Sequence, residues 1–318
     1  MFNRPLLLFT LSCSAVAFAA EADAVRIALW QGDRAGAFAF TFDDGQREQA
    51  ALAGPMLDAL GLKATFVINP GKTAPGPDGW YGSWDQWRAL SKNGHEIGNH
   101  SMTHPNFTQV KEDVLEAEIV GAQKLIEKEI GQPCVTFCYP FNAESDAARV
   151  IVKRTHAVST SGERKAYGGP DFTAAKANAW VDEAIANKSV VVAMIHGIDS
   201  GYLPFAGRAI FKDHLDYVKS KEAQVWVAPI GVIRRYEQER TTAKIEAKPG
   251  AKKVTFTLSC PLEPTIYSVP LTVVIASGPA KSVSAKRDGG GEVKATAHGD
   301  VILCDAAPGK GAVTVTWK

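Results

Sequence analysis

The sequence predicts an α/β fold: a deformed (β/α) barrel of seven strands, followed by a small all-β, sandwich-like domain. Three observations lead there. After Ala20, apolar runs rich in Val, Ile, Phe and Thr alternate with amphipathic stretches of ten or more residues, the pattern of strand–helix units around a parallel sheet. Beyond residue 240 the pattern changes to short strands broken by Gly-rich turns such as Gly289-Gly290-Gly291. With 318 residues, 46% hydrophobic and 22% charged, the chain can bury full cores, which excludes global disorder and fibrous repeats.

The first nineteen residues read as a signal peptide. Met1 to Arg4 is a weakly basic start, Leu6 to Phe18 is apolar, and Ala17-Phe18-Ala19 offers the small-x-small pattern of a cleavage site. The mature chain is therefore expected to begin at Ala20 and to be exported, periplasmic or secreted. About fifteen residues at 1.5 Å each make roughly 22 Å, short of the roughly 30 Å hydrocarbon core, so no integral membrane span is expected. Cys13 raises a lipoprotein alternative, but Thr10 sits where such signals usually carry Leu.

The seven strands are expected at 37–42, 63–68, 95–98, 134–139, 157–161, 190–195 and 225–229. Helices fit at 47–60, 83–93, 110–130, 143–153, 173–187 and 208–219. Within 110–130, Val114, Leu115, Ile119, Leu125 and Ile126 form an apolar stripe. The charged stretch 237–253, with Pro249-Gly250, reads as the boundary between a barrel at 20–240 and a β domain at 241–318, whose strands are expected at 254–259, 271–276, 301–304 and 312–317.

Charge narrows the partner. The chain has 35 Lys+Arg against 34 Asp+Glu, a formal charge of +1, whereas a nucleic-acid protein needs excess basic residues to neutralise phosphates. Of five cysteines, Cys13 leaves with the signal, and Cys134 and Cys138 on one strand lie roughly 13 Å apart, too far to bridge. Cys260 and Cys304, both in the β domain, are expected to form a disulfide.

Chemistry-bearing residues gather at strand ends. Thr41-Phe42-Asp43-Asp44-Gly45 closes the first barrel strand. Adjacent carboxylates on a regular strand point to opposite faces, but a turn at a strand end followed by Gly brings both into one cleft. His100-Ser101-Met102-Thr103-His104-Pro105 follows another strand, and two imidazoles four apart on a helical turn face the same side. An Asp with two His is a common ligand set for a catalytic metal with open positions, which selects Asp44, His100 and His104. His196 follows the run 190–195, and Tyr139-Pro140-Phe141 opens from another strand. At the carboxyl ends of parallel strands these segments share one rim. Tyr202 and Phe205, on a loop beyond His196, are candidate substrate-binding residues. Trp80, Tyr81, Trp84 and Trp87 offer stacking surfaces, although the spacing of Trp84 and Trp87 suits core packing. His95, His156, His214 and His298 have no assigned role.

Taken together, Thr41-Phe42-Asp43-Asp44-Gly45, His100-Ser101-x-x-His104-Pro105 and Met194-Ile195-His196 resemble the first, second and fifth motifs of the polysaccharide deacetylase family, the NodB-homology domain of carbohydrate esterase family 4. The resemblance covers residues 35–235 and implies a deformed barrel. It implies that Asp43 is the general base, that Asp44, His100 and His104 hold a divalent metal, most often zinc with cobalt, nickel or manganese as alternatives, and that His196 is the general acid. Tyr139-Pro140-Phe141 matches the third motif, where the Phe141 N–H would hold the oxyanion. Such a site activates water and needs no acyl-enzyme.

Two positions depart from the pattern. Cys138 stands where many members carry the Arg that orients the base, so another group must position Asp43; Arg164 is a bare guess. Ala179, not Asp, precedes Trp180, leaving Asp171 or Asp182 to tune His196. The expected activity is hydrolysis of N-acetyl groups on amino sugars of a polysaccharide or oligosaccharide. The alternatives are an O-acetyl esterase acting on acetylated xylan or a similar glycan, and a non-catalytic carbohydrate-binding protein.

Overall fold

The computed structural model describes residues 24–73, 79–169, 171–205 and 207–318. The expected signal peptide and Cys13 lie outside the described residues. The chain forms two compact units: a larger one of residues 29–243 and 260–270, and a smaller one from the described residues up to Ala28 together with 244–259 and 271–318.

The first strand, β1 (Val25–Ile27), belongs to the smaller unit. The larger unit is built on β2 (Gly36–Phe42), β3 (Thr65–Ile68), β4 (Glu96–Asn99), β5 (Thr136–Cys138), β6 (Val158–Thr160), β7 (Lys165–Ala166), β8 (Val190–Ile195) and β9 (Val225–Val227). They run parallel in the order β6-β5-β4-β3-β2-β8-β7, with β9 joined to β2. Every residue of β2 is buried, as befits a parallel strand covered on both faces. It has three partners. Ala37 to Phe42 pair with β8, Gly36 to Phe38 pair with β9, and Thr41 and Phe42 pair with β3. The sheet curls as expected of a deformed barrel, but among the described residues β6 and β7 do not pair, so the ring is open at the connection 161–164.

Helices Ala174–Ala186 and Arg208–Ser220 flank the sheet. Phe38, Phe40, Phe42, Phe66, Trp87, Phe205 and Phe211 are fully buried in one cluster, and burying each such side chain is worth about 1.5–3 kcal/mol. Trp84 packs against that cluster from its edge, so the expected core role of Trp84 and Trp87 is what the chain shows.

Each of the seven anticipated barrel strands has a counterpart, but several other expectations need correction. The anticipated helix 47–60 is a π-helical turn, Gln49–Ala53, leading into Gly54–Ala59. Pro55 has no N–H to give, which suits a break in the ordinary i to i−4 ladder there. The anticipated helix 110–130 is broken into Glu112–Val114, a π-helical turn Ala117–Gly121 and Ala122–Ile130. Val114 is consequently exposed, whereas Leu115, Ile119 and Ile126 are buried. The charged stretch read as the domain boundary, 237–253, holds the second half of helix Ile230–Thr242, which buries Ile230, Ile233, Tyr236 and Glu239, and then strand Lys244–Gly250. Charged neighbours hid that apolar face from a composition count.

The smaller unit holds two four-stranded antiparallel sheets. One is β1 with β12 (Leu271–Ala276), β15 (Val301–Ala306) and β14 (Ala295–His298). The other is β10 (Lys244–Gly250), β11 (Lys253–Ser259), β16 (Val313–Trp317) and β13 (Val283–Arg287). Pro249 is tolerated because β10 is an edge strand. The boundary expected at 240 therefore misses two segments: Val25 to Ile27 pair with β12, and residues 260–270 cluster with the larger unit. There Val269 N–H donates to Glu239 Oε1 (3.0 Å) and Arg235 Nη1 to the Ile266 carbonyl (2.8 Å).

The expected Cys260–Cys304 disulfide is absent, and both thiols are free. Cys260 lies beside Thr242 Oγ1 (3.4 Å) in the larger unit, whereas Cys304 is buried on β15 in the smaller one.

Two buried histidines make the fold acid-sensitive. His156 meets Thr155 Oγ1 (2.9 Å) and Asn99 Nδ2 (3.2 Å), and His214 meets the Tyr167 hydroxyl (3.0 Å) and Asn178 Oδ1 (2.7 Å). Burial pushes His156 down to about 4 and His214 to about 3, from an ordinary 6.5. Because the folded values lie below the unfolded one, this stabilisation is fully present above pH 6.5 and is lost as pH falls through 4 and 3. Urea unfolding across this range should show stability falling by up to about 1.4 kcal/mol per pH unit per histidine, with a shallower fall in His214→Gln.

Candidate metal centre and active site

The strand ends of the larger unit converge on a cleft of about 390 Å³. Asp43, Asp44, His100, His104, Phe141, His196 and Tyr202 line it, all anticipated from sequence, together with Arg164 and Asn142.

The two adjacent carboxylates part company at the end of β2. Asp44 takes a left-handed backbone (φ 77°), followed by Gly45 at φ 66°. A Cβ at Gly45 would sit 3.1 Å from the Ile68 side chain, so the turn needs glycine on both counts. Asp43 N–H still donates to the Ile195 carbonyl (2.9 Å), continuing the sheet pattern. Gln49 clamps this end: its Nε2 donates to the carbonyls of both Asp43 (2.5 Å) and His196 (2.7 Å).

Asp44 faces the histidines, with Oδ1 3.5 Å from His100 Nε2 and 3.2 Å from His104 Nε2. The pair is not on a helical turn, which corrects the expectation from spacing. β4 ends at Asn99, and Ser101 (φ 65°) and His104 (φ 66°) both adopt left-handed backbone. Asn99 Oδ1 accepts the Ser101 N–H (2.9 Å), and Ser101 Oγ accepts the His104 N–H (3.0 Å). Pro105 disfavours the right-handed helical region for the residue before it, so a knotted turn, not a helix, brings the rings together at 4.8 Å.

These donors fit a divalent cation. His100 Nδ1 donates to the Cys138 carbonyl (2.8 Å), which leaves Nε2 as the ring nitrogen that faces Asp44 and would meet a cation in place of its proton. The separations match the roughly 3.3–3.5 Å between ligands that each lie about 2.0–2.2 Å from a tetrahedral ion. The electrostatics agree. Burial pushes the Asp44 carboxyl up, but hydrogen bonds from His100 and His104 outweigh it and hold it well below the usual carboxylate range. Burial likewise depresses His100, yet Asp44, the Cys138 contact and the Asp43 charge push it up to about 10. Positive charge is favoured at this spot.

Asp43, 2% exposed, turns away toward Arg164, whose Nη1 lies 2.8 Å from each carboxylate oxygen. The guanidinium is fixed in turn by Thr41 Oγ1 (3.3 Å), Asn142 Oδ1 (3.0 Å) and the Ser161 carbonyl (3.3 Å). Arg164 belongs to the connection between β6 and β7, so it enters through the opening in the barrel. Cys138 leaves it room, with Sγ 3.8 Å from Asp43 Oδ2.

His196 presents its ring edge-on to Tyr202, 5.0 Å away, and its Nδ1 has no hydrogen-bond partner among the described residues. Neither carboxylate considered for tuning it does so: Asp182 accepts from the Tyr217 hydroxyl (2.6 Å), and Asp171 is exposed, its carbonyl bonded to Lys176 Nζ (2.8 Å). Phe141, at φ 56°, is exposed with its ring 4.6 Å from His104.

Two anticipated residues lie elsewhere. Tyr139 is buried against Phe107 and Phe137, because the ring of the residue before Pro140 points into a side core. Phe205 is wholly buried among Tyr167, Phe172 and Phe211, so the loop beyond His196 offers Tyr202 and not Phe205. Sequence reasoning missed Gln49, which carries no motif.

Residues 31–158 match the family model described as polysaccharide deacetylase. That span holds β2 to β5 together with Asp44, His100 and His104. A gellan lyase of Bacillus sp. is 27% identical over 340 residues, 91% of this chain but 13% of that protein. A chitooligosaccharide deacetylase of Rhizobium leguminosarum bv. trifolii is 33% identical over 89 residues, 27% of this chain and 37% of that one. The chain thus spans well under half the length of either relative. A solved Xyl-CE4 domain of a multidomain xylanase, from the hindgut metagenome of Trinervitermes trinervoides, shares 13% identity over 62% of this chain and 89% of that one, with a TM-score of 0.47.

The Asp43–Arg164 pair predicts a stability effect. Arg164→Met leaves a buried carboxylate unpaired and should destabilise the larger unit by about 3–5 kcal/mol in urea unfolding, whereas Arg164→Lys should recover part of that loss.

Proposed function

We propose that this protein is a metal-dependent hydrolase that removes acetyl groups from a polysaccharide, acting on N-acetylated amino sugars. The observation that carries the reading is the division of labour between two consecutive carboxylates in one cleft: Asp44 faces two imidazoles, and Asp43 is locked by a buried arginine.

Asp44, His100 and His104 would hold the cation, zinc first, with cobalt, nickel or manganese as alternatives. Bound there, such an ion lowers the pKa of water from 15.7 to about 7 and polarises the acetyl carbonyl. The rest falls to the protein. Asp43 accepts the proton of the attacking water, and the two-oxygen grip of Arg164 fixes the direction from which it does so. The Phe141 N–H, in the turn that lines the cleft beside His104, would donate to the developing oxyanion, a contact typically worth about 100- to 1000-fold in rate. His196 gives a proton to the departing nitrogen, since an amine leaves poorly unless protonated. Tyr202 covers the His196 ring from the solvent side of the cleft. Export to the periplasm or beyond would place the enzyme where polymeric substrates are found.

The test separates metal binding from proton transfer. Asp43→Asn should keep its metal content by elemental analysis but release acetate from N-acetylated chito-oligosaccharides at least about 100-fold more slowly. His104→Ala should lose the metal, and chelation of the wild type should abolish acetate release until a divalent ion is restored. Activity of Asp43→Asn near that of the wild type would overturn the base assignment.

A further inference from the structure

The parallel ladder between β2 and β8 ends where the cleft begins. Phe42 pairs with Ile195, and the Asp43 N–H donates to the Ile195 carbonyl (2.9 Å). Beyond that point the two chains part into separate loops, and the ladder stops short of the carbonyls of Asp43 and His196. One side chain answers both. Gln49 Nε2 donates to the Asp43 carbonyl (2.5 Å) and to the His196 carbonyl (2.7 Å). A carboxamide nitrogen carries two hydrogens, and here each goes to a different strand end.

The local backbone fixes that amide in place. Gln49 is wholly buried and opens the π-helical turn Gln49–Ala53, an irregularity that often marks a functional site. Its N–H donates to the Gln46 carbonyl (3.1 Å), and its own carbonyl accepts the Gly54 N–H. Its Oε1, by contrast, is buried with no hydrogen-bond partner among the described residues. An apolar side chain of the same size would fill the space without burying an unpaired acceptor. The two donor bonds, and not the filling of space, therefore account for an amide at this position.

The two residues depend on this clamp unequally. Asp43 is also held by Arg164 at both carboxylate oxygens and by its N–H in the ladder. His196 has weaker support: its Nδ1 has no partner among the described residues, and its ring stands edge-on to Tyr202, itself an exposed residue. We infer that Gln49 is a positioning residue for His196, tying the strand end that carries the imidazole to the firmly held end that carries Asp43. The inference rests on the reading of His196 as the general acid. Loosening the clamp then misplaces the proton donor more than the proton acceptor, and misplacement of about 1 Å in a reacting group can cost about 100-fold in rate.

The test compares the full chain with Gln49→Met, which keeps the volume, and Gln49→Glu, which keeps the shape; both remove the paired N–H donors. N-acetylated chito-oligosaccharides release an amine that needs a proton, whereas para-nitrophenyl acetate releases a phenolate that leaves without one. The ratio of kcat on the amide to kcat on the ester should fall about 10- to 100-fold in both variants, with KM and metal content close to those of the wild type. NMR of isotope-labelled histidine gives a readout apart from activity. The His196 ring signals, identified by their loss in His196→Gln, should shift or broaden in both variants while those of His156 and His214 stay in place and report an intact fold. An unchanged ratio, whether or not both rates fall, overturns the positioning role and leaves the hydrolase reading standing. A wild type that releases acetate from neither substrate sinks the hydrolase reading, and the His196 signals then decide the clamp by themselves: displaced in Gln49→Met they support it, unmoved they overturn it.

Discussion

Two neighbouring carboxylates cannot share one environment here, and the site is organised around keeping them apart. Asp43 and Asp44 are consecutive at the end of a buried strand, where regular geometry would send one into the barrel and one out of it. The left-handed turn at Asp44 and Gly45 places both in the cleft. Mutual repulsion is then answered on each side by a different kind of cation or donor: a permanently charged guanidinium for Asp43, and two imidazoles for Asp44. His100 Nε2 lies 4.0 Å from Asp43 as well as 3.5 Å from Asp44, so it is the guanidinium that gives Asp43 surroundings of its own.

That separation is maintained by strained backbone. Asp44, Ser101, His104, Phe141 and Asn142 all have positive φ, each costing about 1–3 kcal/mol for an ordinary residue. They occur where three strands, β2, β4 and β5, run out into the cleft. Packing below them offsets the strain: β2 is buried along its whole length and paired on both edges, so the loops it ends in have a fixed base.

Much of this was legible in the sequence, and the illegible parts share a cause. Asp43, Asp44, His100, His104 and His196 announce themselves because each follows an apolar strand run, and the parallel fold collects strand ends. The turn joining the histidines was misread, since their spacing of four also suits a helix and only Pro105 hinted otherwise. Arg164 could not be argued from spacing, because its reach depends on the barrel being open between β6 and β7, a tertiary fact with no local signature. Tyr139 and Phe205 misled for the opposite reason: an aromatic residue near a motif reads as a binding group, yet burial decides, and both rings fill cores. Helix Ile230–Thr242 was hidden by charge on its outer face.

The pairing of β1 with β12 has an architectural consequence. Val25 to Ile27 precede the larger unit in the chain but complete a sheet whose other strands come after residue 270. In covalent order the body of the larger unit, 29–243, is therefore an insert, entered from one strand of the small unit and left into another, with 260–270 returning to it. Cutting the chain near residue 240 would not separate two beads on a string. It would strip β1 of its sheet and leave an uncovered strand edge at the start of the remaining fragment, the kind of edge that recruits other chains. The small unit is thus assembled from chain segments on both sides of the insert.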